Sequence, residues 1–323
     1  MHRTLRWVAG LLLAVGAQGA IAQAYPERAI RFICPYAPGG TTDILTRAIA
    51  QKLSEAFKQS VVVDNRAGAG GNVGSEIAAK SPPDGYTILM APVSPLAINP
   101  SLYAGKMTFN PQRDFAPLTL VAKVPLVIVT HPSVPSKNVK EFIALAKSKP
   151  GKLTYGSAGN GSSNHLIGEM FKHAAGVSIV HIPYKGGGPA MVALMSGELD
   201  MMVGQVPSVA TQAKANRVRA LAISGAKRSV ALPDVPTLIE SGLPGFDATS
   251  WYAIVAPAGM PKPIVDRLHA ELVKAINSSE VRGRLSEEGA EIETTTPEQL
   301  AVFMRKEMDK WAEAVKLSGA KLD

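Results

Sequence analysis

The sequence predicts an α/β fold in two domains, and three features predict it. Apolar, β-branched runs alternate with Gly-rich turns and amphipathic helical stretches, the order that builds mostly parallel sheets. Two apolar segments, residues 118–130 and 249–255, are long enough to leave one sheet and enter another. With residues 1–24 set aside, the chain still exceeds what one hydrophobic core usually fills. Two crossings imply that one domain is inserted into the other: residues 25–123 with 249–323 form the first, and residues 124–248 the second.

Residues 1–24 read as an export signal. Arg3 and Arg6 supply a basic start, residues 7–17 are apolar, and Ala20-Ile21-Ala22 and Ala22-Gln23-Ala24 each offer a small-residue cleavage site, so cleavage is expected after Ala22 or Ala24. The apolar run falls short of the roughly 20 residues a membrane anchor needs. The expectation is a soluble exported protein.

Removing that segment takes two arginines, and the formal charge falls from +8 to +6. The charges are interspersed and only 6% of residues are aromatic. No basic-aromatic run suited to nucleic acid occurs, and an acidic small molecule fits the balance better. The one cysteine, Cys34, has no internal partner and sits in an apolar run, which favours a buried, inert thiol over a nucleophile.

The first block sets the pattern. An apolar strand over 30–34 runs into Pro35-Tyr36-Ala37-Pro38-Gly39-Gly40-Thr41-Thr42-Asp43, and a helix follows over 42–57, its apolar face carried by Ile44, Leu45, Ala48, Ile49, Leu53 and Phe57. Pro38 stiffens the approach, Gly39 and Gly40 let backbone come close to a ligand, and Thr41 or Thr42 can cap the helix. Such a helix start attracts an anion, although an ordinary βα turn explains this loop taken alone. Asp43, in the first turn, is expected to accept hydrogen bonds from the loop rather than touch an anionic ligand; pairing with a ligand ammonium is the alternative.

A short strand over 61–63, a Gly-rich turn from Asp64 to Gly74 and a helix over 75–80 come next. Gly68, Gly70 and Gly74 are spaced one residue too widely for a dinucleotide fingerprint, so the turn reads as close helix-on-sheet packing. A strand over 87–91 ends in Pro92-Val93-Ser94-Pro95, which places Ser94 at a strand end. Residues 99–115 read as irregular and surface-lying.

Beyond the first crossing segment, Asn138 and Glu141 form a capping-box pair that opens a helix through Lys147. From Leu153 a strand leads into Ser157-Ala158-Gly159-Asn160-Gly161-Ser162-Ser163, a second candidate anion loop, with Ser162 or Ser163 placed to cap the helix that carries Leu166, Met170 and Phe171. A strand over 179–182 leads to a third such turn, Pro183-Tyr184-Lys185-Gly186-Gly187-Gly188-Pro189, with Pro189 expected as the first helical residue. A strand over 201–203, a helix over 206–214 and a strand over 220–223 complete this part. After the second crossing segment come a helix over 263–277 and a last one capped by Thr296-Pro297-Glu298-Gln299, with Leu300, Met304, Met308, Trp311 and Val315 facing inward.

No nucleophile elbow, zinc-protease motif, Walker loop or cysteine cluster occurs. His165, His173 and His181 lack ligand spacing, and Ser162 with His165 lacks a visible third group for a triad. Neither catalysis, a metal nor a cofactor is expected. What recurs is backbone donors at helix starts, equipment for holding an oxyanion unchanged.

The set Pro38-Gly39-Gly40-Thr41-Thr42-Asp43, Asn65-Arg66 with Gly68 to Gly71, Pro82-Asp84-Gly85-Tyr86, Ser157 to Ser162 with His165-Leu166, and Pro183 to Pro189 resembles the Bug-type solute-binding receptors of tripartite tricarboxylate transporters. Pro233-Asp234-Val235-Pro236-Thr237, Trp251-Tyr252 and Ala256-Pro257-Ala258-Gly259 extend the likeness over the whole chain after residue 24. The resemblance implies a type II-like periplasmic-binding-protein flytrap, a periplasmic location, and a ligand carboxylate gripped between the loops 36–43 and 157–163. The implied ligand contacts are Tyr36, Pro38, Gly39, Gly40, Thr41, Asp43, Ser94, Ser157, Ala158, Gly159, Asn160, Gly161, Ser162, Ser163, Gly186, Gly187 and Gln205. Two positions depart from the family pattern: Ala37 stands where proline is frequent, and Val203-Gly204-Gln205 replaces a usual Phe-Asp, removing an acid near the expected cleft.

The expected function is therefore capture of a small organic acid or acidic amino acid by a monomer that delivers it to membrane permease subunits. A periplasmic acyl-transfer enzyme and a receptor that signals to a sensor are the alternatives from other classes.

Overall fold

The computed structural model describes residues 25–322, so the expected export signal lies outside the described residues. The first strands are β1 (Ile30–Cys34), β2 (Val61–Asn65) and β3 (Thr87–Pro92), joined by helices α1 (Thr41–Phe57) and α2 (Asn72–Ala79). β1 pairs in parallel with both β2 and β3. Its residues are nearly all buried, which explains a continuous apolar run in place of an alternating one.

The long strand β4 (Phe115–Thr130) organises the rest. Its first part, through Pro125, lies antiparallel to β9 (Thr249–Pro257), which in turn pairs with β3. Its last part, from Leu126 to Thr130, lies against β7 (Met201–Gln205) and, over Val127 to Thr130, against β8 (Arg219–Ile223). Strands β5 (Thr154–Ser157) and β6 (Val180–Pro183) extend this second group beyond β7 in parallel. One strand thus belongs to both groups, and the path of neighbours is β2-β1-β3-β9-β4-β7-β5-β6. The chain returns at Ala248, whose backbone N–H bonds to Ser224 and whose carbonyl accepts from the Ser224 hydroxyl, immediately before β9 begins.

Helix α3 (Asn99–Leu102) follows a π-type turn over Ser94–Ile98. The expectation of an irregular surface stretch over 99–115 is corrected at its start, where Asn99–Leu102 is helical and Asn99 is buried; residues 103–114 are turns and bends, mostly exposed or half-buried, with Phe109 buried among them. Pro95 and Pro100 are each the second residue of their segment, in a first turn whose N–H groups have no internal partner, so their punctuation did not mean loop. In the second group α4 (Val139–Ser148), α5 (Ser163–Ala175), α6 (Gly187–Met195) and α7 (Val206–Lys214) follow their strands. The chain closes with α8 (Lys262–Asn277), α9 (Ser279–Glu287), the short β10 (Glu291–Ile292) paired with β4, and α10 (Pro297–Ser318).

Two of the expected caps form as the sequence predicts. The Asn138 side chain accepts from the Glu141 N–H, and Thr296 with Gln299 forms a reciprocal capping box. Helix α9 lacks a long apolar stripe, since only Val281 and Leu285 of it are buried, but Ser278 caps it by accepting from the Val281 N–H. Pro189 is the third residue of α6 and not the first; a missing N–H costs nothing there, because the first four N–H groups of a helix have no internal partner.

Candidate functional site

The loop between β1 and α1 is built differently from a Thr-capped turn. Gly40 occupies the N-cap position and no side chain caps the helix, so neither Thr41 nor Thr42 plays the role expected of it. Asp43 reaches back instead: its Oδ2 accepts from the Gly39 N–H at 3.1 Å and from Arg47 Nε at 2.9 Å, and its Oδ1 accepts from Asn65 Nδ2 at 3.0 Å. Burial works against its ionisation, but these hydrogen bonds from Arg47, Asn65 and Gly39 outweigh it and hold the carboxyl below the usual range. Thr42 is thereby freed to point at the Tyr252 hydroxyl, 3.5 Å away.

On the facing side, Ser162 caps α5 by accepting from the His165 N–H. The Ser163 N–H donates to the Ser94 hydroxyl at 3.0 Å, the Ala37 N–H donates to the Lys185 carbonyl at 3.0 Å, and the Tyr103 hydroxyl donates to the Asn160 carbonyl at 2.9 Å. Strands and loops from the two groups therefore touch directly. Glycine is required at Gly188 and Gly70: a Cβ on the first would overlap the Pro38 carbonyl oxygen and one on the second the Asn160 carbonyl oxygen, and Gly70 has φ +61° besides.

Between these loops lies a small enclosed cavity. Four helix N-termini meet at it: Gly40, Thr41 and Thr42 from α1, Ser163 and Asn164 from α5, Gly187 from α6, and Gln205 and Ser208 from α7. Tyr36, Pro92, Ser94, Ala158, Met202 and Tyr252 complete the wall, and none of these residues is charged. The space open to the centre of a water-sized sphere is about 10 Å³, room for about one water.

Of the residues expected to contact a ligand, Tyr36, Gly40, Thr41, Ser94, Ala158, Ser163, Gly187 and Gln205 line this cavity. Pro38, Gly39, Asp43, Ser157, Gly159, Asn160, Gly161, Ser162 and Gly186 are not in its wall; they shape the loops behind it. Asn164 and Ser208 joined the wall without being singled out, as did Thr42, expected only as a cap and part of the 36–43 loop; their place in the first turn of a helix was a usable signal. Pro92, Met202 and Tyr252 come from strands, where only the register decides which side chains face inward; Pro92 and Tyr252 are directly paired across β3 and β9.

The polar network at the base is tight. The Tyr252 hydroxyl donates to Gln205 Oε1 at 2.5 Å, and Gln205 Nε2 lies 3.5 Å from the Ser250 hydroxyl. Burial pushes the Tyr252 and Tyr36 hydroxyls well above their ordinary range, so both stay protonated as donors. Tyr36 donates to the Gly70 carbonyl at 2.8 Å. A Ser–His contact exists, with Ser157 Oγ 2.7 Å from His181 Nε2, but Ser157 also accepts from the Gly159 N–H, is fully buried and stands outside the cavity wall. Its geometry stiffens the loop; it does not present a nucleophile. Among the described residues no group of three or more His, Cys, Asp or Glu is placed to hold a metal.

A family model described as tripartite tricarboxylate transporter family receptor matches residues 45–319. The chain is 38% identical to Protein BugT of Bordetella pertussis over 318 residues, which cover 98% of this chain and 97% of that one. It is similar in structure to R. palustris Rpa4515 with adipate, at TM-score 0.89 and 34% identity over 93% of this chain and 100% of that one. MatC from Rhodopseudomonas palustris with bound malate superposes at TM-score 0.86 and 31% identity over 90% of this chain and 100% of that one. With the periplasmic-binding-protein fold thus shared almost end to end, this chain belongs to the receptor family of tripartite tricarboxylate transporters.

Proposed function

We propose that the protein is a periplasmic solute-binding protein that captures a small carboxylate between its two domains and delivers it to the membrane subunits of a tripartite transporter. One observation carries the reading: four helix N-termini, each equivalent to about half a positive charge, converge on one cavity whose wall holds no charged side chain. Fixed dipoles and N–H groups of this kind hold an oxyanion without needing an arginine. Relatives with bound adipate and malate support the ligand class. The proposed contacts are the cavity-lining residues, above all Thr41, Ser94, Ser163, Gly187 and Gln205.

Residues 1–24 serve in this reading as the export signal, removed after Ala22 or Ala24, and residues 124–248 as the inserted domain that closes on the rest. Native mass spectrometry of protein purified without unfolding is expected to show a co-purifying organic acid, and calorimetry to show binding of adipate or malate. Failure of a panel of mono-, di- and tricarboxylates to bind, with the protein folded by circular dichroism, overturns the reading.

A further inference from the structure

Resting on the reading that a ligand is held between the two strand groups, we infer that the Gly68–Gly71 turn, with Asn99 and Tyr103, forms a socket that seats the backbone of Asn160 and Gly161 as the cleft closes, and that Tyr36 is a positioning residue that holds this socket. None of Gly68 to Gly71, Asn99, Tyr103, Asn160 and Gly161 lines the cavity, so the socket lies beside the ligand and not around it.

The turn carries strain. Residues 68–71 all have positive φ, at +146°, +46°, +61° and +98°. Ala69 is among them although its side chain is exposed, so packing of its own methyl group does not hold the left-handed conformation, which a residue with a Cβ adopts at a cost. Such strain persists where the surroundings fix it, and it collects at clamps and switch regions. What the shape achieves is close approach: a Cβ at Gly70 would lie 2.8 Å from the Gly161 carbonyl carbon and closer still to the Asn160 carbonyl oxygen, and a Cβ at Gly161 would lie 2.7 Å from Tyr103 Cε2 and against Asn99 Oδ1. The Tyr103 hydroxyl completes the grip by donating to the Asn160 carbonyl at 2.9 Å.

The socket is held from the first strand group. Tyr36 donates to the Gly70 carbonyl at 2.8 Å and accepts from the Ser94 hydroxyl, and Ser94 Oγ in turn accepts from the Ser163 N–H at 3.0 Å. Asn99 Nδ2 donates to Asn72 Oδ1 at 2.7 Å, which ties the other wall to the residue after the turn. The proton of Tyr36 is thus committed to the turn, although Tyr36 itself borders the cavity.

The test is calorimetry and stopped-flow dissociation with malate and adipate on wild type, Tyr36→Phe and Gly70→Ala, each checked for folding by circular dichroism. Gly70→Ala puts a methyl group against the seated loop and is expected to bind both acids at least about tenfold more weakly. Tyr36→Phe is expected to weaken both by about 3–10-fold, by the same factor and through faster dissociation. It keeps the ring and the backbone, so it carries the test if Gly70→Ala does not fold. A loss in Tyr36→Phe confined to one of the two acids puts its hydroxyl on the ligand and overturns the positioning role; undiminished affinity in a folded Gly70→Ala overturns the socket. If the wild type binds neither acid, the carboxylate reading falls and the socket is decided in the ligand-free protein by amide exchange at Ser163, whose N–H donates to Ser94 in the seated loop. Exchange about tenfold faster in Gly70→Ala upholds the socket, and equal exchange overturns it.

Discussion

Asp43 shows how one side chain stabilises a binding loop without entering it. Its three hydrogen bonds fix Gly39 and the start of α1, so Asp43→Asn is expected to destabilise the protein by about 0.5–2 kcal/mol and to weaken every carboxylate alike. Its folded pKa lies below the unfolded value, so this stabilisation is complete above about pH 4 and disappears as pH falls through the lower folded value. Thermal melts of wild type and Asp43→Asn are therefore expected to converge on acidification below pH 4; a gap that stays constant, or a loss confined to amino acids, contradicts the role. Cys34 is the second case. It has no exposed surface, its thiol donates toward the Tyr36 carbonyl at 3.6 Å, and burial pushes it up to about 11. Alkylating reagents at pH 8 should leave it unmodified until the protein is unfolded; rapid labelling of the native state would show that the β1 end opens.

Elements meet across the cleft through backbone, and that makes closure sensitive to single atoms. Gly188→Ala puts a methyl group against the Pro38 carbonyl in the closed arrangement. The clash lies between the β1–α1 loop and α6, so the variant is expected to melt within about 1 kcal/mol of wild type yet bind malate or adipate at least about tenfold more weakly. Undiminished affinity would show that the two loops need not approach so closely. Tyr103→Phe removes the bond to the Asn160 carbonyl and is expected to reduce affinity by about 3–10-fold, the worth of one hydrogen bond. The strands and the capped helices were legible because each has a local cause: a buried apolar run, or an acceptor three residues before its donor. Helix α9 does have such a cap, Ser278 accepting from the Val281 N–H, a signal the reading of the sequence missed, whereas the helical turn at Ser94–Leu102 has no side-chain cap.

At the scale of the whole molecule, the closed cavity is too small to admit a diacid from solution. In the proposed reading, residues 124–248 part from the rest for capture and come together with it afterwards, with β4 and the start of β9 expected to bend. Saturating adipate or malate is expected to reduce the radius of gyration by small-angle scattering and, at about 100 times its dissociation constant, to add about 2.7 kcal/mol of stability. An identical radius with and without a bound ligand would place the hinge elsewhere or show that the cleft does not open.

By itself the sequence determined the α/β class, the order of strand, Gly-rich turn and helix, the long strand β4 that belongs to both strand groups, and the loops that carry helix starts, whereas β9, the second segment expected to cross, pairs only within the first group. These are local properties, set by side-chain period, by glycine and proline, and by caps within three or four residues. Only the tertiary structure decided which of those loops meet. Among the described residues the Thr41 hydroxyl has no partner, while Asp43 holds the Gly39 N–H ahead of the helix, its position fixed by Arg47 and Asn65 from the helix and from β2. Pro92, Met202 and Tyr252 face the cavity through the register of β3, β7 and β9, and the Gln205 amide is held by Tyr252, 47 residues away, at its oxygen and by Ser250 at its nitrogen. Such contacts join residues far apart in the chain, and no local pattern encodes them.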